Sequence, residues 1–132
     1  MVLFVFDMKE DENLCRVLIV NDDESTMLLL SVMIKKCGNY KIFEARNGKE
    51  AIEQYLKVKP GCIFMDLNMP DMDGIEATRE IRILGKTERE KTRIFAISMS
   101  NPDEIRESCI NAGMDEMMIF PFRLENVRSL LE

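Results

Sequence analysis

Apolar and polar residues follow one another along the chain in blocks that predict five strands, each followed by a helix. Short runs of apolar, often branched residues are typical of buried parallel strands. Between these runs, apolar residues three or four positions apart are typical of helices that cover a sheet. We therefore predict an α/β fold, a (βα)5 three-layer sandwich with a five-stranded parallel sheet and helices on both faces. The predicted strands are residues 16–20, 40–45, 62–66, 93–97 and 116–120.

Capping residues predict where the helices begin and end. Ser25 is expected to cap the first helix, and Gly38 to end it in the left-handed conformation. Asn47 and Gly48 predict a turn before the second helix, and Asn101 a cap of the fourth. The positions expected to face the core are Met27, Leu30, Met33, Ile34 and Cys37, then Ala51, Ile52 and Tyr55, then Ala77, Ile81 and Leu84, then Ile105, Cys109 and Ala112, and finally Leu124, Val127, Leu130 and Leu131.

The length and composition are those of a single soluble domain. The 132 residues suit one core, which we place at residues 16–132 after an N-terminal extension over residues 1–15. The net charge of −6 argues against direct nucleic-acid binding, because phosphate recognition needs clustered Lys and Arg. No apolar run is long enough to span a bilayer and residues 2–6 lack a basic flank, so a cytoplasmic location without membrane attachment is expected.

Histidine is absent from the chain, and this excludes several kinds of chemistry. The usual general base, the Ser-His and Cys-His nucleophile pairs and a phosphohistidine on this chain are all ruled out. The four cysteines are widely spaced without a Cys-x-x-Cys pair, a pattern that favours reduced core thiols over disulfides or zinc. Most of the eleven methionines fall at core positions, with Met69, Met72 and Met99 as the possible exceptions.

Polar residues follow three of the predicted strands at their carboxyl ends. Asn21, Asp22 and Asp23 follow the first strand, Asp66 ends the third and Ser98 follows the fourth. In open α/β sheets this edge forms the crevice where ligands bind. Carboxylates gathered there repel one another unless a cation is present, and Mg²⁺ needs only one or two of them. Asp66 could then attack a phosphorus centre while Ser98 donates to the phosphoryl group. The plainer alternative is that Asp66 caps the next helix or bonds the turn.

Residues 65–74, Met-Asp-Leu-Asn-Met-Pro-Asp-Met-Asp-Gly, resemble the phosphorylation loop of response regulator receiver domains. The resemblance extends over residues 16–131 and implies a flavodoxin-like fold. It implies that Asp66 accepts a phosphoryl group from a histidine kinase or histidine phosphotransfer protein. It further implies that Asp22 and Asp66 ligate Mg²⁺ through carboxylates, that the Asn68 carbonyl completes the set, and that Ser98 reports phosphorylation. Pro121 matches a proline that a cis peptide often precedes in the family.

Three positions depart from the family pattern. Asn21 replaces the first acid, which usually contacts the metal through water, and this predicts weaker Mg²⁺ binding. Phe120 stands where the family has a lysine that contacts the phosphoryl oxygens, and a charge pair at ~4 Å is worth about 4 kcal/mol at an effective dielectric of ~20. Met117 occupies the position of the family's switch aromatic ring.

Two main functions therefore remain open. The chain is either a phosphoacceptor receiver with an unknown output partner or a receiver-like binding module that works without phosphorylation. Enzymatic activity would amount at most to self-phosphorylation and dephosphorylation of Asp66. An aspartyl phosphohydrolase is disfavoured, because such enzymes usually have a second acid where this chain has Asn68.

Overall fold

Five parallel strands form one sheet in the order β2-β1-β3-β4-β5. The computed structural model describes residues 14–69, 72–88, 91–99 and 102–132, with only the backbone described at Pro102. The strands are β1 (Cys15–Val20), β2 (Tyr40–Ala45), β3 (Cys62–Asp66), β4 (Arg93–Ser98) and β5 (Glu116–Ile119). The helices are α1 (Glu24–Cys37), α2 (Gly48–Val58), α3 (Gly74–Leu84), α4 (Pro102–Ala112) and α5 (Leu124–Leu131). The predicted α/β class and flavodoxin-like architecture are confirmed.

Each face of the sheet has its own hydrophobic core. Alternation along the strands sends Val17 and Phe64 to one face and Leu18 and Ile63 to the other. The first face packs against α1 and α5, and the second against α2, α3 and α4. The rings of Phe64 and Phe95 meet edge to face across the central strands, with centroids 5.3 Å apart. Most positions predicted to face inward are buried or half-buried, but Leu84 is 43% exposed.

The strand order determines where a site can form. The chain leaves β1 for the sheet edge at β2 and returns to the other side of β1 at β3. The crossovers before and after this reversal diverge at the carboxyl ends of β1 and β3, and this leaves a crevice between their loops. We call the end of the sheet where the carboxyl ends of the strands lie the carboxyl edge, and the opposite end the amino edge.

Several local predictions need correction. β1 begins at Cys15, within the extension predicted for residues 1–15, and β5 ends at Ile119. The cap of α1 is Asp23, not Ser25, because its carboxylate accepts from the Thr26 N–H. Gly38 follows α1 in a nearly extended conformation, with φ 158° and ψ −169°, and not in the left-handed one. Residues 1–13 and the predicted cap Asn101 lie outside the described part of the chain.

One further turn assignment also changes. Asn47 and Gly48 do not form a separate turn: Asn47 caps α2, and Gly48 is its first residue. A Cβ at Gly48 would lie only 2.8 Å from Met72 Cγ. The close approach brings the loop after β3 against the start of α2, and this contact helps to position the loop that follows Asp66.

Candidate functional site

Asp66 is the last residue of β3, and its side chain is 8% exposed. It pairs in register with Ile97 of β4, and the next N–H, that of Leu67, donates to the Ile97 carbonyl at 3.1 Å. The backbone N–H of Asn68 donates to Asp66 Oδ1 at 3.1 Å. The chain therefore holds the carboxyl group at the carboxyl edge of the sheet and turns away directly after it.

Gly74 allows this turn to be tight. Its N–H approaches the Leu67 carbonyl at 3.4 Å, and a Cβ at this position would collide with the carbonyl oxygen of Asp66. The backbone of β3 and the first residue of α3 therefore pass closer than any side chain permits. Asp73 caps α3 by accepting from the Glu76 N–H at 2.8 Å, and this capping bond fixes the entry of the helix.

The acidic loop after β1 is held by three side-chain hydrogen bonds. Asn21, 3% exposed, accepts the Asp23 N–H through Oδ1 at 2.9 Å. Asp23 in turn accepts from the Thr26 hydroxyl at 2.6 Å and from the Thr26 N–H at 3.0 Å. These two bonds from Thr26, of which the hydroxyl bond contributes more, hold the pKa of Asp23 below its usual value. Asp23 thus serves as the cap of α1, and Asp22 is the acid of this loop that interacts most strongly with Asp66.

The carboxyl groups of Asp66 and Asp22 lie near enough to interact with each other. Burial raises the pKa of Asp66 to about 6. The Asn68 N–H opposes this rise, whereas Asp22 and Asp23 add to it through charge repulsion. Asp66 is therefore a strained anion at neutral pH, and a cation placed between the two carboxylates would relieve the strain.

Ser98 ends β4 beside Asp66 and is 1% exposed. It lies one residue beyond Ile97, the register partner of Asp66. Its carbonyl accepts the Phe120 N–H at 2.8 Å, so position 120 adjoins Ser98 at the same sheet edge. The Phe120 ring packs against the α1 and α5 face of the core and meets the Phe122 ring at 5.5 Å and 85°. The peptide between Phe120 and Pro121 is cis, as expected.

The atoms at the site that could bind a metal are all oxygens, and oxygen ligands suit Mg²⁺. Within the described residues, no group of three or more His, Cys, Asp or Glu side chains could hold a metal. Two carboxylates, Asp22 and Asp66, are sufficient for Mg²⁺, which takes its remaining ligands from carbonyls, water and phosphate. Asn21 uses Oδ1 to hold the loop, and its role in a water-mediated metal contact stays a prediction.

The fold and this acid pair define a class: doubly wound α/β domains with an acidic site at the carboxyl ends of β1 and β3. The model of the response regulator receiver domain family matches residues 17–132. The chain belongs to this family, and it is a receiver domain of two-component signalling. Receiver domains work with histidine kinases or phosphotransfer proteins and generally bind Mg²⁺ in their active site.

Three similar proteins illustrate the family. The chemotaxis protein CheY of Thermotoga maritima is 34% identical over 112 residues, which span 85% of this chain and 90% of CheY. Histidine kinase CKI1 of Arabidopsis thaliana is 36% identical over 118 residues, 78% of this chain but 10% of the kinase. The receiver domain of sensor histidine kinase PA1611 from Pseudomonas aeruginosa PAO1, solved with a magnesium ion in its active-site cleft, is 27% identical with a TM-score of 0.78. That match covers 89% of this chain and 94% of the other.

Two features of the site were missed by the sequence reasoning. The capping role of Asp23 could have been found, since an acid three positions before Thr26 is a capping signal as good as Ser25. The close approach of Gly74 to the Asp66 carbonyl has no local signal, because it depends on how α3 packs back onto β3.

Met69 and Met72, named as possible crevice residues, are buried and half-buried, whereas Met99 is 67% exposed. In the described part of the chain, no helix combines the length and apolar character needed to cross a membrane.

Proposed function

We propose that Asp66 accepts a phosphoryl group from a histidine kinase or histidine phosphotransfer protein in a Mg²⁺-dependent reaction. The carboxylate oxygen attacks phosphorus, the bond between phosphorus and the donor imidazole breaks, and the imidazole leaves. The observation that carries this proposal is the pairing of Asp66 with Asp22 at the crevice between β1 and β3. A carboxyl group that served only the turn would not need a second acid beside it.

The residues that would hold Mg²⁺ are Asp22 and Asp66 through their carboxylates and Asn68 through its carbonyl. When bound, the ion neutralises charge on the transferring group. The residues of the chain perform the remaining tasks. The Asn68 N–H orients Asp66 at 3.1 Å, and Asn21 holds the loop that carries Asp22. Ser98 at the end of β4 donates to the phosphoryl group, and its placement beside the strand that carries Asp66 supports this role.

Acetyl phosphate labelling tests the proposal directly. The chain is incubated with acetyl phosphate and Mg²⁺, and intact mass is measured. A mass increase of one phosphoryl group is expected, and Asp66→Asn should abolish it. The matched control is Glu80→Gln, an exposed acid on α3 that should label like the unaltered chain. Labelling that persists in Asp66→Asn would refute Asp66 as the acceptor.

The second candidate is a receiver-like module that binds a partner without phosphorylation. The packing of Phe120 against Phe122 favours it, because the position of the family lysine is filled by a ring that belongs to the core. Met117 is likewise half-buried and packs against the opposite core. Absence of any adduct under conditions that label Thermotoga maritima CheY would favour this second function over the first.

A further inference from the structure

The amino edge of the sheet carries a cavity of about 680 Å³. Its wall includes Cys15 at the start of β1, Gly61 before β3, Arg93 at the start of β4 and Tyr55 of α2. A second cavity of about 440 Å³ reaches toward α3 and shares Tyr55 and Glu88 with the first. Both lie at the opposite edge from Asp66, so neither belongs to the candidate phosphorylation site.

Lysines dominate the rim of these cavities. Lys59 and Lys91 line the larger cavity, Lys86 and Lys91 the smaller, and Glu88 is the one acid among the described lining residues. Lys59 Nζ lies 3.9 Å from Glu88 Oε1, which is loose for an ion pair, and both side chains are exposed. No described acid pairs with Lys86 or Lys91. Such a cationic rim is unexpected on a chain with a net charge of −6.

The two arginines at the cavities already have partners. Arg82 donates to the Gly113 carbonyl at 2.9 Å and forms an ion pair with Asp115, also at 2.9 Å. Arg93 donates to the Leu130 carbonyl at 3.0 Å. Among the described lining residues, the three lysines are therefore the cations that can turn toward an anionic ligand.

The chain enters β1 at the rim of the larger cavity, and the residues before it are acidic. Glu10, Asp11 and Glu12 precede Cys15 by three to five positions. An extended chain spans at most about 3.5 Å per residue, so these acids can lie within about 10–18 Å of Cys15. We propose that the larger cavity is the docking site for residues 2–12 of this same chain, with the acids of residues 10–12 placed against Lys59 and Lys91.

The apolar residues that begin this segment fit the same placement. Residues 2–6 are Val-Leu-Phe-Val-Phe, a run whose exposure would be costly. Leu56, next to Tyr55, is 54% exposed, and Leu84, next to Gly85 of the smaller cavity, is 43% exposed. Nine positions separate Phe6 from Cys15, so a fully extended segment could place the apolar run up to about 30 Å from Cys15, beyond the lysine rim. Exposed ion pairs are individually weak, but covalent tethering gives the segment a millimolar effective concentration.

Cysteine labelling tests this docking, because Cys15 is exposed at the cavity rim while Cys62 and Cys109 are buried. The labelling rate of Cys15 with iodoacetamide is measured by peptide mass in a Cys37→Ser background. Removing the acids with Glu10→Gln, Asp11→Asn and Glu12→Gln should raise the rate about threefold or more at low salt. High salt should raise the rate of the unaltered chain similarly.

The lysine variants separate docking from a direct effect of charge on the thiol. Lys59→Gln with Lys91→Gln removes cations that would attract negative charge at the Cys15 sulfur, so electrostatics alone would slow its labelling. Docking predicts the opposite, faster labelling, because the segment is released. Lys35→Gln with Lys49→Gln, exposed lysines that line neither cavity, should leave the rate unchanged.

Charge reversal provides the complementary test. Lys59→Glu with Lys91→Glu should speed labelling, and adding Glu10→Lys and Glu12→Lys should restore the slow rate. Equal rates in all variants, slower labelling in the lysine-to-glutamine variant, or protection that grows with protein concentration would each overturn the proposal, the last in favour of a second copy of the chain. The result is independent of Asp66 phosphorylation, which is measured on the same samples by mass.

Discussion

The carboxyl edge of the sheet has two unlike halves. At the ends of β1 and β3, Asp22 and Asp66 are held together by loops whose backbone and side-chain bonds leave little freedom. At the ends of β4 and β5, Ser98 is kept but its neighbour Phe120 packs into the core. The first half contains the groups that would accept a phosphoryl group and bind a cation. The second half contains the positions that would respond to it.

The comparison indicates that the groups that would accept a phosphoryl group and the positions that would respond to it can vary separately in one fold. The proposed acceptance of a phosphoryl group would depend on charge and on close backbone approach around β3, and both features are present here. A response to phosphorylation would depend on side chains that exchange partners, whereas Phe120 and Met117 have apolar contacts. A receiver built in this way would retain the groups for the proposed phosphoryl acceptance while its conformational change is reduced or takes another form.

Gly74→Ala should damage the accepting half most. The added Cβ would collide with the Asp66 carbonyl, which is backbone and cannot move aside cheaply. We expect a loss of about 3 kcal/mol in the free energy of unfolding, measured by urea denaturation. Gly61→Ala is the matched control, since its Cβ would meet Cys15 Sγ at 3.1 Å, the end of an exposed side chain that can shift. Equal losses in the two variants would show that the approach at Gly74 is not specially tight.

Asp66→Asn should stabilise the metal-free protein at neutral pH. Burial raises the pKa of Asp66 to about 6, above the ordinary value of 3.8, so the folded state binds this proton more tightly than the unfolded state. The ionised carboxylate therefore destabilises the fold above about pH 6, and the penalty fades as the pH falls from 6 toward 4. We expect a gain of about 2 kcal/mol in Asp66→Asn at pH 7 in EDTA, shrinking with acidification.

Urea denaturation across this pH range measures the effect. Glu107→Gln, at an exposed acid on α4, is the control and should follow the unaltered chain. A gain that is the same at pH 7 and pH 4.5 would contradict the charge-based explanation.

Phe120→Lys should bring the responding half closer to the family pattern. Position 120 adjoins Ser98 through a 2.8 Å backbone bond, so an ammonium there can reach the phosphoryl group on Asp66. We expect acetyl phosphate labelling to become about tenfold faster, within the range that a partly screened charge pair allows. Phe120→Leu removes the contact with Phe122 without adding charge, and it should not accelerate labelling. Equal acceleration by both variants would assign the effect to lost packing.

The sequence predicted the fold because its signals were local and agreed with one another. Apolar runs such as residues 62–65 and helical spacing around Leu30 and Ile34 predict the correct elements without tertiary information. The grouping of the acids at the strand ends could also be predicted, because parallel strands bring their carboxyl ends to one edge. The hydrogen bonds of those acids could not be predicted from the sequence. Asp23 and Ser25 are both acceptable capping residues for α1, so the sequence does not select one of them. The pKa of Asp66 depends on burial that only packing determines.

Asn21→Asp should give the smallest effect and the finest test of the accepting half. An aspartate can accept the Asp23 N–H as Asn21 does at 2.9 Å, so the loop should keep its shape while the site gains a negative charge. We expect Mg²⁺ to bind about threefold more tightly by calorimetry at pH 7, because the added charge acts through water rather than as a direct ligand. Asn68→Ala is the control, since the proposed ligand there is the backbone carbonyl, and it should bind Mg²⁺ as the unaltered chain does. Tighter binding in Asn21→Asp with weaker binding in Asn68→Ala would mean that the Asn68 side chain, and not its carbonyl, serves the metal. Unchanged affinity in Asn21→Asp would mean that position 21 acts only through the loop.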